Sequence, residues 1–165
     1  MQDPSGLNSL WIWLESSSIA VSLRQSIWLY PSVEIIHIVG FAILVGAAIL
    51  YDIRLLGFSK RIPVIDASNY LAFWAKLSFI AIVPSGVLLF MVDASSYASN
   101  IAFQLKLIFL FAAIINAGIF QLYTLKSVDK WNHNTNTPFG AKIAAVLSIL
   151  FWIMVISGGR FIAYM

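Results

Sequence analysis

The chain has 165 residues, of which 61% are hydrophobic and only 10% are charged, and its formal net charge is +3. A soluble domain has roughly 45–50% apolar and about 25% charged residues, so this chain has too little charge to cover a water-facing globule. The same composition excludes intrinsic disorder. The absence of cysteine excludes a disulfide framework, thiolate metal sites and thiol catalysis. The composition therefore indicates an integral membrane protein.

The first predicted element covers about residues 7–28. Its apolar residues recur near helical spacing, but polar residues interrupt it too often for a span: Ser16, Ser17, Ser18, Arg24 and Gln25. The segment lacks the basic start of a cleaved signal peptide. We therefore expect an interfacial amphipathic helix. Pro31 follows it and suits the first turn of the next helix.

Four apolar windows then follow, at about residues 31–51, 70–92, 101–123 and 139–164. Each is long enough for a bilayer-spanning helix, which needs roughly 20 apolar residues. All six tyrosines lie at or near a window end, the position that aromatic residues favour in membranes: Tyr30, Tyr51, Tyr70, Tyr97, Tyr123 and Tyr164. The sequence predicts an all-α membrane protein, a single domain with a four-helix transmembrane bundle.

Basic residues predict the orientation of the bundle. The links between spans one and two and between spans three and four contain Arg54, Lys60, Arg61, Lys126 and Lys130, with Lys142 just inside span four. The link between spans two and three has neither Lys nor Arg. The positive-inside rule then puts both basic links in the cytoplasm and both termini in the periplasm of a bacterial inner membrane. This asymmetry accounts for the net charge without a nucleic-acid partner.

Ionisable residues at membrane depth are costly and are candidates for function. Glu34 and His37 lie three residues apart on one helix face near the predicted outer end, and Lys106 and Arg160 belong to the same outer half. His37 either ligates a haem iron or another metal, satisfies a hydrogen bond, or transfers protons with Glu34. Glu34 can instead cap its helix or pair with Arg24.

Lys106 and Arg160 have two interpretations. Both can extend to lipid headgroups, or both can face the bundle, pair with Glu34 and bind an anion such as a haem propionate or a lipid phosphate. Lys76 is expected to extend to the cytoplasmic surface, and Asn116 and Gln121 in span three are expected to form interhelical hydrogen bonds.

The second histidine, His133, lies in the predicted cytoplasmic loop, about 30 Å of hydrocarbon away from the outer half. One chain therefore cannot ligate a haem with both histidines. A bis-histidine haem needs a symmetric oligomer or a partner chain.

The segment LRQSIWLYPSVEIIHIVGFAILVGAAILYDIRLLG resembles a bacterial membrane family of unknown function, DUF6644. The similar pattern has an Arg–x–Ser–x–Trp–Leu–Tyr–Pro start, a Glu three residues before a His, and then Asp–x–Arg–Leu–Leu–Gly. Further similarities cover nearly the whole chain and end in GGRFIAY, residues 158–164.

More remotely, the chain is similar to four-helix copper-resistance (CopD-like) and protoporphyrinogen-oxidase-like membrane proteins. That resemblance rests on His37, Arg54 and Lys106 and implies haem b binding or copper handling.

The sequence as a whole leaves three functional hypotheses. The first is a haem b redox protein with His37 as the metal ligand and Glu34, Lys106 and Arg160 around it. The second is a non-enzymatic subunit or homo-oligomeric scaffold that binds lipid or partner chains, and the third is transport of copper or a small ion.

Overall fold

The protein is an all-α bundle, as the sequence predicts. The structure, a computed structural model, describes residues 6–58, 61–124, 128 and 137–164. In this part of the chain four helices are long and apolar enough to cross a membrane: Leu29–Leu56, Val64–Val92, Ile101–Tyr123 and Phe139–Tyr164. We name them α3, α4, α6 and α7. The α6 helix proper is Ile101–Ile119 and continues as a π-helical turn, Phe120–Thr124; α7 proper is Phe139–Phe161 and continues as a 3-10 turn, Ile162–Tyr164.

Two ends of the bundle are distinguished below. The basic-link end contains the α3–α4 and α6–α7 connections. The terminal end contains the N-terminal helices, the short helix α5 (Ala94–Ser99) between α4 and α6, and the end of α7. α3 packs against both α4 and α7, and α7 also packs against α6.

The segment before α3 forms two helices where the sequence predicts one. α1 spans Gly6–Glu15 and α2 spans Ser18–Gln25. The break lies at Ser16 and Ser17, because the Ser17 hydroxyl caps α2 by accepting from the Ala20 N–H at 3.3 Å. Short polar side chains of this kind offer the backbone an alternative to continuing a helix. The interfacial position of this segment stays a prediction.

The N-terminal helices are bound to the terminal end by polar and aromatic contacts. Arg24 donates to the backbone carbonyls of Val92 at 3.1 Å and of Glu15, so it does not form the pair with Glu34 that was one alternative. The Glu15 carboxylate accepts from the Ser95 N–H at 2.6 Å. Trp11 packs edge-on against Phe90 at 5.6 Å between ring centroids.

α3 and α4 extend beyond the predicted spans at the basic-link end. α3 runs to Leu56, five residues past Tyr51, and α4 begins at Val64, six residues before Tyr70. Gly57 ends α3 in a left-handed conformation with φ 105°, which glycine adopts without steric penalty. The buried Arg54 donates from Nε to the Ile62 carbonyl at 2.6 Å and so fastens the following link.

Close helix contacts occur at glycines. A Cβ at Gly40 would lie 3.0 Å from Ile82 of α4, and a Cβ at Gly158 of α7 would lie 3.0 Å from the Lys106 Cβ and 3.2 Å from the Ala102 carbonyl of α6. Small residues allow this approach in membranes, where packing replaces hydrophobic association. α4 and α6 meet at the terminal end, where Phe90 stacks on Phe103 at 5.5 Å between centroids.

We expect Gly158→Ala to lower the free energy of unfolding by about 1–3 kcal/mol, because the new methyl group must separate α6 from α7. Thermal unfolding of the detergent-purified protein, followed by circular dichroism, measures the change. Gly118→Ala in α6 is the matched control, since a Cβ there meets nothing within 4 Å. Equal effects of the two substitutions would contradict the packing role of Gly158.

Candidate functional site

A cavity of about 280 Å³ lies between α3, α4, α6 and α7, and several polar side chains line it. It lies between two apolar clusters, one around Leu55 and Phe120 and the other around Leu44, Ala113 and Trp152, and members of both line it. Short side chains leave this space open. Seven alanines line it: Ala47, Ala48, Ala72, Ala75, Ala113, Ala117 and Ala144.

Asp52 of α3 brings a carboxylate into this cavity. The residue is 5% exposed, and its Oδ2 is buried without a hydrogen-bond partner in the part of the chain that the structure describes. Ser148 of α7 is the side chain that interacts with the carboxylate. A buried carboxylate that is neither paired nor fully hydrogen-bonded is costly in a low-dielectric interior. The orphan oxygen therefore needs a proton or a donor from outside these residues.

Other polar side chains lie around the same space. They are Tyr51, Ser68, Lys76, Asn116, Gln121 and Ser148. The Tyr51 hydroxyl is also buried and makes no close hydrogen bond among the described residues, although Ser68 interacts with it. The Tyr51 ring packs edge-on against Phe120 at 5.7 Å between centroids. The amide nitrogen of Asn116 donates to the Ala144 carbonyl at 2.8 Å, which is the interhelical bond expected for this residue. Most of the wall is apolar, and the polar groups are few, as in small-molecule sites.

Sequence reasoning did not select Asp52 as a site residue. The apolar window for span one ends at Tyr51, because Asp52 is the first charge after it. The sequence feature that contains Asp52 is the Asp–x–Arg–Leu–Leu–Gly motif, and the structure gives each of its residues a different role. Asp52 faces the cavity, Arg54 fastens the link, Leu55 lies in the core and Gly57 ends the helix.

His37, the predicted metal ligand, packs against α4. Its Nδ1 lies 3.0 Å from the Ser85 Oγ, and a Cβ at Gly86 would lie 3.0 Å from its Cε1. The Ser85 hydroxyl lies 2.5 Å from the Ala81 carbonyl, so its one proton is donated to the backbone. Nδ1–H is then the donor to Ser85, and the Ile82 carbonyl of α4 is a second acceptor near the ring.

The other predicted site residues are only partly brought together. Lys106 lies within electrostatic range of His37, and its side chain runs over Gly159 with Nζ 3.8 Å from an ideal Cβ there. Arg160 is turned away, since it donates to the Tyr164 hydroxyl at 2.8 Å and lies over that ring. Glu34 is exposed and forms no ion pair within the described residues. His37 and Lys106 are therefore neighbours, whereas Glu34 and Arg160 do not join them.

Three further predictions concern single residues. Lys76 is exposed and lines the cavity, and Gln121 is exposed in the π-helical turn. His133 lies outside the described residues. Among the residues that are described, no group of three or more His, Asp or Glu side chains could hold a metal ion.

We expect Asp52→Leu to raise the free energy of unfolding by about 1–3 kcal/mol, because it replaces an unsatisfied buried carboxylate by apolar volume. Thermal unfolding in detergent without added ligand measures this change. Asp93→Leu, at the exposed Asp93 between α4 and α5, is the control and should leave the stability nearly unchanged. A destabilised Asp52→Leu would show that Asp52 holds the bundle together by contacts of its own.

Comparisons with known proteins place the chain in one family. No curated protein and no solved structure matches it. A family of unknown function matches residues 11–165, which is nearly the whole chain and includes all four membrane helices and the cavity. The chain belongs to this family, DUF6644.

Proposed function

We propose that the protein binds a small, lipid-soluble molecule in the cavity, with a hydrogen-bond donor of that molecule on Asp52. The observation that carries the proposal is the Asp52 Oδ2, a buried oxygen without a partner in a mostly apolar space of about 280 Å³. A buried carboxylate oxygen without a partner lowers the stability of the fold, and binding sites commonly contain residues that lower stability in this way.

The cavity is suited to a ligand that dissolves in the bilayer. Residues on the α4 and α6 sides of the cavity are exposed on the bundle surface: Phe79, Ile114 and Ala117. The volume is near the lower limit of small-molecule pockets, which enclose about 300–1,000 Å³. An apolar body of moderate length would fill the alanine-lined part, and a polar head would reach Asp52.

A brominated alkyl alcohol tests this proposal, because bromine quenches indole fluorescence on contact. Trp152 lines the cavity and is 6% exposed, so the quenching that disappears in Trp152→Phe reports on occupancy. We expect saturable quenching in bilayers and an affinity about ten-fold lower in Asp52→Leu, since a hydrogen bond to a charged group is lost. Asp93→Leu should bind as the unsubstituted protein does. Equal affinities in Asp52→Leu and the unsubstituted protein would refute the proposal.

A second proposal concerns His37. We propose that its Nε2 ligates haem b at an interface between two copies of the chain; haem would supply one-electron transfer. The bond from Nδ1–H to Ser85 supports this, because a second hydrogen bond commonly orients a ligating histidine. Neither the Asp52 cavity nor the groove along Ile36, Gly40 and Ser78 is lined by His37, so a single chain does not enclose a haem there. A Soret band in the purified protein that His37→Ala removes is the expected result, and a spectrum without one would count against it.

We also propose that the basic-link end lies in the cytoplasm of a bacterial inner membrane, on the strength of the positive-inside rule. The chain has no cysteine, so single cysteines can be introduced as labels. On intact cells an impermeant thiol reagent should label Ser99→Cys at the terminal end and leave Arg61→Cys unlabelled until the membrane is opened. The reverse pattern would invert the orientation.

A further inference from the structure

A basic residue lines the cavity as well as Asp52. Lys76 of α4 lines the same space and is exposed at its edge. The register between α3 and α4 gives its depth. His37 faces Ser85, and Gly40 faces Ser78, Ala81 and Ile82. Because α3 and α4 are antiparallel, the residue numbers of two facing residues have a nearly constant sum, which is about 121 here. By this register Asp52 is level with about Asn69, and Lys76 is level with about Val45.

Lys76 therefore begins about seven residues deeper in the bundle than Asp52, or about 10 Å at 1.5 Å per residue. Helical side chains tilt toward the helix N-terminus, which for α4 is the basic-link end. The Lys76 side chain is thus directed toward the level of Asp52. Lys76 and Asp52 form no ion pair in the described structure, and Ser148 is the side chain that interacts with the carboxylate. A donor and an acceptor remain separated in one cavity.

The cavity opens on the α4 and α6 side of the bundle. α4 and α6 are joined at the terminal end by the Phe90–Phe103 stack, and toward the basic-link end the cavity separates them. Lys76 on α4 and Ile114 and Ala117 on α6 lie at the edge of this opening and are exposed on the bundle surface. A molecule in the hydrocarbon can therefore reach the cavity between the two helices, past Lys76 at its edge.

We infer that the ligand is an acidic amphiphile whose carboxylic acid head lies between Lys76 and Asp52. This inference rests on the proposed function and adds the class of the ligand. A carboxylic acid enters the bilayer in its neutral form and carries an acceptor next to a donor. In the site its carboxyl group and that of Asp52 share the one proton that the ligand brings.

Charge and donor strength together favour an acid over a base. Two carboxyl groups that share one proton carry a single negative charge, which the Lys76 ammonium balances, so the occupied site is neutral. An alkyl amine that enters as its neutral base also leaves the site neutral, but its N–H is a weaker donor to Asp52 than a carboxylic O–H. An amine that enters with its proton would leave two cations and one anion in the cavity. Net charge in a low-dielectric space is costly. An alcohol adds no charge, but its O–H is a weaker donor to the Asp52 carboxylate than a carboxylic O–H, and its oxygen is a weaker acceptor for Lys76 than a shared carboxylate.

Three brominated alkyl compounds of equal length, a carboxylic acid, an alcohol and an amine, test the inference through Trp152 quenching in bilayers. We expect the acid to bind about ten-fold more tightly than the alcohol, and the alcohol more tightly than the amine. Lys76→Met, which keeps the apolar stem, should remove the preference for the acid. Lys76→Arg should retain it, because the charge stays. Lys142→Met is the matched control, since Lys142 is a partly exposed lysine of α7 that does not line the cavity.

The outcomes separate the two proposals. An amine that binds as tightly as the acid, or an acid preference unchanged in Lys76→Met, overturns the inference. If Asp52→Leu still weakens the alcohol in that case, the proposed function stands without it. If none of the three compounds gives saturable quenching of Trp152, both proposals fail.

Discussion

The bundle depends on two contacts at which a neighbouring helix approaches a glycine closely. In hydrocarbon, apolar side chains gain nothing by leaving lipid for protein, so tight van der Waals packing must hold the helices together. Gly40 provides it between α3 and α4, and Gly158 provides it between α7 and α6. With α3 packed on α7, these contacts order the four helices. α4 and α6 are each fixed to a different neighbour, and beyond the Phe90–Phe103 stack the alanine-lined cavity separates them.

The fold class and the four spans follow from the sequence, because a long apolar run has only one common structure in a bilayer. The ends of α3 and α4 do not follow in the same way. A helix continues until its backbone is stopped, here by the left-handed Gly57, and not where its apolar run ends. A search for apolar windows stops at the first charge, which on span one is Asp52. The search for uncharged windows therefore locates the span but excludes Asp52, the residue on which the proposed binding site depends.

Contacts between residues that are distant in the chain could not be predicted from the sequence, for a different reason. Which residues meet depends on the rotation and the register of each helix, and both are set by contacts with other helices. Arg24 had a carboxylate partner available in Glu34, yet it donates to two backbone carbonyls at the end of α1 and α4. Lys76 has no pattern that connects it with Asp52. The antiparallel register defined by His37 and Ser85 brings both to one cavity.

The opening of the cavity between α4 and α6 has an energetic consequence. A ligand that arrives from the bilayer leaves one apolar medium for another, so burying its hydrocarbon chain contributes almost no hydrophobic free energy. Its chain determines how much of it dissolves in the membrane and not how tightly the protein holds it. Discrimination between ligands then rests on the polar head, which meets an environment that lipid cannot offer. Such a site is expected to show modest affinity when expressed as a mole fraction of lipid, and sharp selectivity between head groups on chains of equal length.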